Sequence, residues 1–122
     1  MKFLIHFKKK NILIKVKRTN FISKCFGLTF KTRNTSNLLF EFNKPVTWRG
    51  NLTSWFVFFP FLTLWLDDKN NVIDTRVVEP FIFSISQKKE FYKIIELPFN
   101  LSNRKLIESF KGKKEFLRYL RS

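Results

Sequence analysis

Across residues 11–17 apolar and polar positions alternate, with Ile12, Ile14 and Val16 on one side and Leu13, Lys15 and Lys17 on the other. A period of two is that of a strand with one face buried, and here the outer face is basic. Phe21, Ile22, Cys25 and Phe26 are spaced as on a helix, with Gly27 as a stop, so a short helix is predicted near residues 20–27. Residues 31–37, rich in Thr, Asn and Ser, predict a loop. Residues 38–42 predict a strand that Asn43-Lys44-Pro45 closes as a turn.

The run from Trp55 to Leu66 is apolar almost throughout. It is shorter than the roughly 20 residues a membrane-spanning helix needs, and Pro60 interrupts it. Two buried strands over residues 52–59 and 61–67 account for it better. Asp68-Lys69-Asn70-Asn71 then turns the second of these onto a strand over Val72–Val78, a hairpin with Asp68 as the turn former. Residues 81–85 and 91–97 predict further strands, and Pro98 stops the last. Ser102 predicts a helix N-cap, with Leu101 and Leu106 as a hydrophobic staple, an apolar face of Leu106, Ile107 and Phe110, and Gly112 as the stop. Phe116, Leu117 and Leu120 predict a second short helix within residues 113–121, a final strand being the alternative.

These elements describe one domain over residues 1–122, mainly β within a β-rich α+β class. The expected architecture is a compact antiparallel sheet, barrel-like or sandwich-like, with a short helix near residues 20–27 and a C-terminal helical segment. A chain of 122 residues is long enough for one core, and 17 Phe and 3 Trp supply the apolar area for it.

The chain contains no alanine and is rich in Lys, Asn, Ile and Phe, the usage an A+T-rich coding sequence imposes, so part of its net charge of +15 has a compositional source. The distribution says more. Residues 1–40 carry ten Lys or Arg and no acid, residues 41–98 seven of each, and residues 99–122 seven bases against two acids. A uniform bias would spread the surplus; segregation favours a basic surface for an anionic partner. The residues expected to form it are Lys8, Lys9, Lys10, Lys15, Lys17 and Arg18, gathered with Lys113, Lys114 and Arg118 into one face.

Catalytic chemistry finds little support. Cys25 is the only cysteine, so no internal disulfide forms and a reducing, cytoplasmic location is expected. Residues 1–10 lack the apolar length and cleavage site of a signal peptide. His6 is the only histidine, and Cys25 reads more simply as a small buried hydrophobe than as a nucleophile. One Cys and one His leave a zinc site short of ligands, and three glycines leave no phosphate-cradling loop, so no cofactor is expected. Among the carboxylates, Glu41 and Glu96 sit in apolar strand contexts, where pairing with Lys or Arg is the expected role. Sequons at Asn34, Asn51 and Asn100 are what an Asn-rich chain generates by chance.

Four blocks in order carry a resemblance: residues 20–30 with Phe26-Gly27-Leu28-Thr29-Phe30; Leu38-Leu39-Phe40-Glu41-Phe42; Trp55-Phe56-Val57 through Trp65-Leu66-Asp67; and Tyr92-Lys93-Ile94-Ile95-Glu96-Leu97-Pro98. Together they resemble domain-of-unknown-function family number 192 over about residues 11–99, leaving residues 100–122 as a basic helical extension. The resemblance implies a compact mainly β domain, in the cytosolic form of the family, with no established activity. Phe26 and Thr29 replace the family's usual Arg and Met, and two polar family positions fall near Thr53 and Leu62, so a family site built on those groups is not carried here. The functional expectation is a non-catalytic binding or structural domain meeting an anionic partner, nucleic acid among them. An enzyme with an unrecognised site and a peripheral membrane-surface protein are the alternatives.

Overall fold

The computed structural model describes residues 1–19, 34–46, 59–80 and 87–120. The helix expected near residues 20–27, Cys25, and the strands expected over residues 52–58 and 81–85 lie outside the described residues.

Seven strands precede two helices: β1 (Lys2–Phe7), β2 (Lys10–Lys15), β3 (Lys17–Thr19), β4 (Leu38–Val46), β5 (Phe61–Leu66), β6 (Val72–Val78) and β7 (Phe91–Pro98), then a 3-10 turn (Leu101–Asn103), α1 (Arg104–Lys111) and α2 (Lys113–Leu120). The fold is mainly β, built as two layers. β1 and β2 form a two-stranded antiparallel ribbon, and the remaining strands form a five-stranded sheet in the order β3-β4-β7-β5-β6. The described residues form no closed barrel.

The alternation along β5 shows how the layers are held. Leu62, Leu64 and Leu66 point to one face, where Phe3 and Ile5 of β1, Ile14 of β2, Val16 after it, Ile107 of α1 and Phe116 of α2 pack on them together with Ile95 and Leu97 of β7. Phe61 and Trp65 point to the opposite face and join Leu38, Phe40, Phe91 and Ile94 in a second cluster. All six residues of β5 are buried, the pattern of a strand covered on both sides.

The expected hairpin forms: Phe61 pairs with Val78 and the register runs to Trp65 opposite Asp74, with an irregularity before Leu66. Its turn former is Asp67, not Asp68. Asp67 Oδ1 accepts from the backbone N–H of Lys69 at 2.9 Å and of Asn71 at 2.8 Å, while its Oδ2 accepts from Asn71 Nδ2 at 3.0 Å.

Other expectations are corrected. The strand over residues 11–17 divides at Val16, whose N–H turns to Met1 O at 2.8 Å, and β3 continues as a parallel partner of β4 in an otherwise antiparallel sheet. Asn43-Lys44-Pro45 does not end β4; the strand runs to Val46, and its ladder with β7 lapses between Glu41 and Val46, where the missing proline N–H costs nothing. Ser102 is not the cap. Asn100 caps instead, its side chain accepting from Asn103 N at 2.9 Å, and Leu101 is 70% exposed, so no staple forms. Gly112 does stop α1, and residues 113–120 are helical.

Candidate functional site

Where β2 passes into β3, the chain lies against two polar segments from distant parts of the sequence, and the three enclose a groove of about 840 Å³. Asparagine amides fix its walls. Asn37 Nδ2 donates to Lys15 O at 2.9 Å, and the N–H of Lys17 donates to Asn37 O at 2.7 Å, which ties the 34–37 loop to the strands. Asn103 Nδ2 donates both to Asn37 Oδ1 at 2.7 Å and to Pro98 O at 2.8 Å, which ties that loop to the start of α1. Asn103 is buried at 5% exposure, so its bond to Pro98 O is sheltered from water, while its bond to Asn37 is partly so.

Four cations line this groove: Lys15, Lys17, Arg18 and Lys105. Lys15 ends β2 and Lys17 begins β3, and both line the groove. Arg18 is partly spent, since its Nε lies 2.5 Å from Glu41 Oε1. Leu13, 64% exposed, adds an apolar element to the wall. A concave, cationic, amide-rimmed groove accepts a negatively charged chain or headgroup and repels cations.

The remaining predicted residues lie elsewhere. Lys8 and Lys9 are the turn of the β1–β2 ribbon and Lys10 begins β2, opposite Phe7. Lys10 and Lys15 are at opposite ends of β2 and, five positions apart, face opposite sides of it, so they do not share one face. Phe7 packs on Phe110 with ring centroids 4.6 Å apart, which sets the ribbon turn beside the junction of α1 and α2 that carries Lys111, Lys113 and Lys114. Arg118, one helical turn after Lys114 on α2, lies 3.9 Å from Glu115 and over the ring of Tyr119. Lys15, Lys17 and Arg18 thus line the groove, while Lys8 and Lys9 lie at the other end of the ribbon. The sequence reading missed Lys105 and the asparagines: residues 31–37 read as a plain loop, and Asn100 and Asn103 flank the serine taken for a cap.

Several of the described carboxylates are used structurally. Glu41 holds Arg18, as expected, Glu108 holds Arg104 at 3.1 Å, and Asp74 accepts from Gln87 Nε2 at 2.8 Å. Partial burial acts to raise the Asp67 carboxyl, but the side chain of Asn71, the backbone N–H groups of Asn71 and Lys69, and the charge of Lys93 outweigh it and hold the group below its ordinary 3.8. His6 Nδ1 lies 2.6 Å from Asn11 Oδ1 across the ribbon. Among the described residues, no three His, Cys, Asp or Glu side chains cluster to hold a metal ion, and no helix is long and apolar enough to cross a membrane.

No protein-family model matches the chain, and no curated protein matches it in sequence. Two crystal structures share its fold. A protein of unknown function from Novosphingobium aromaticivorans DSM 12444 superposes with a TM-score of 0.67 at 11% identity, covering 84% of this chain and 74% of its own. A proposed transcription regulator from Sinorhizobium meliloti 1021 gives 0.62 at 15% identity, covering 84% of this chain and 81% of its own. At these identities the likeness is one of fold: the chain is similar in architecture to both.

Proposed function

We propose that this chain is a non-catalytic binding domain whose basic groove takes the phosphate backbone of single-stranded nucleic acid. One observation carries the reading: Lys15, Lys17, Arg18 and Lys105, from both ends of the sequence, converge on one groove that buried asparagines hold open. A volume of about 840 Å³ is of the size that takes a small ligand or a short stretch of a flexible chain. The name given to the Sinorhizobium meliloti neighbour supports the same ligand class, at the level of fold alone. A nucleic-acid ligand and a single cysteine agree with a cytoplasmic location.

We also propose that the chain is a divergent member of domain-of-unknown-function family number 192. In support, three of the blocks that carry that resemblance include β4, β5 and β7, the three central neighbours of the large sheet.

The test is titration of single-stranded DNA and RNA into the wild-type chain and a K15S/K17S/K105S variant at two salt concentrations. Arg18 is left in place because Glu41 already engages it. The variant is expected to bind more weakly, with the slope of log affinity against log salt reduced by about 0.7 for each phosphate no longer neutralised, and with little dependence on base sequence. Binding equal to the wild type, or none by the wild type, overturns the proposal.

A further inference from the structure

The outer face of the β1–β2 ribbon leads from the groove to the lysine turn, and its composition changes in steps along the way. Cross-strand register pairs Lys2 with Lys15 at the groove end, Leu4 with Leu13 next, then His6 with Asn11, before the turn at Lys8 and Lys9. Leu4 and Leu13 face each other on this outer side at 41% and 64% exposure, away from the core that Phe3, Ile5 and Ile14 enter from the inner side. The turn itself is unusual. Lys8 and Lys9 both have positive φ, 47° and 65°, in a two-residue hairpin connection where Asn and Gly are the residues that fit. Phe7 on Phe110 anchors it beside Lys111, Lys113 and Lys114, so charge is concentrated where the backbone conformation disfavours lysine.

We propose that this face is a track along which a single nucleic-acid strand runs from the groove to the lysine turn, a second phosphate site. The inference rests on the groove reading above and extends it. Lysines at both ends take phosphates, the exposed leucine pair lies against base faces, and the His6–Asn11 pair offers polar edges. From Lys15 the strand runs five positions before it reaches the Lys8–Lys9 turn, so the track spans about 17 Å. Aliphatic side chains between lysines also suit an anionic lipid surface, but continuity with a concave groove that a bilayer cannot enter favours a strand.

Fluorescence anisotropy with oligothymidylates of increasing length tests this, using the wild-type chain, K8N/K9G, L4S/L13S, and K44S/K88S as a charge-matched control outside the β1–β2 ribbon and the groove. K8N/K9G places in the turn the residues its backbone prefers, so it folds while losing two charges. Wild-type affinity is expected to rise with length until the strand reaches the turn. K8N/K9G is expected to lose about tenfold for long strands, with a salt slope lower by about 1.4, and nothing for the shortest strands that bind the groove. L4S/L13S should lose affinity with an unchanged salt slope, and K44S/K88S should match the wild type. Wild-type binding with K8N/K9G unaltered, or weakened equally at every length, overturns the track and leaves the groove reading standing. No oligonucleotide binding by the wild type overturns both, and preferential capture by phosphatidylserine vesicles replaces the strand with a membrane surface.

Discussion

Thr63 is expected to be a position where removing a polar group stabilises the protein. It sits in the middle of β5 at 0% exposure, and among the described residues its Oγ1 has no hydrogen-bond partner. On its face lie Phe61 and Trp65, with Glu96 and Arg76 opposite it on β7 and β6. A buried hydroxyl without a partner costs about 1–3 kcal/mol of desolvation. Thr63→Val exchanges that hydroxyl for a methyl group of nearly the same shape, keeps the β-branched geometry the strand favours, and adds apolar burial. The expected gain is about 1–2 kcal/mol, a rise in melting temperature of about 3–8 °C for a domain of this size. Thr63→Ser keeps the hydroxyl and opens a methyl-sized void, which should cost about 1 kcal/mol. Urea unfolding followed by circular dichroism, with the m-value checked for constancy, gives the order Val above Thr above Ser. If Thr63→Val is the less stable, the hydroxyl is bonded in solution and the reasoning is wrong.

Three further outcomes follow from local interactions. Asp67→Ala removes three hydrogen bonds that close the β5–β6 turn and should cost about 1–2 kcal/mol at neutral pH by chemical denaturation. Because the folded carboxyl titrates below its ordinary 3.8, the stability it contributes is complete above that pH and is lost as the pH falls through the folded value, so the gap between wild type and variant should close in acid. Gly112, at φ 89° and ψ 161°, holds a conformation that is essentially glycine's alone, so Gly112→Ala should lose about 1–3 kcal/mol in thermal unfolding although nothing crowds the new methyl group. Asn103→Leu removes the amide that donates to Asn37 and Pro98, and should cost about 2–3 kcal/mol and weaken oligonucleotide binding, checked by unfolding and anisotropy on the same preparation.

The large sheet was legible wherever one physical signal acted alone. The β5–β6 hairpin follows from two apolar runs and a polar connection, and β7 from its apolar length. β1 was not legible, because Leu4 fills an outer position and hides the alternation of Phe3, Ile5 and Phe7, while a Lys-Lys turn carries no hairpin signature. The end of β4 was misread because proline was weighed as a breaker without knowing that the ladder is absent there. Of the candidate site, Lys15 and Lys17 were named from strand periodicity, whereas Lys105 and the tie between Asn103 and Asn37 join segments more than sixty positions apart, which local pattern does not encode.

β7 lies between β4 and β5 and pairs with both, yet among the strands of the large sheet it is last in the sequence. During synthesis β4 and the β5–β6 hairpin therefore emerge without the strand that joins them, and their phenylalanine-rich surfaces wait uncovered until Pro98 has left the ribosome. Closing the sheet depends on long-range pairing and is slow compared with forming the β1–β2 ribbon, whose partners are a few residues apart. The interval exposes unpaired edges, and a chain halted before Phe91 is expected to pair them with another copy.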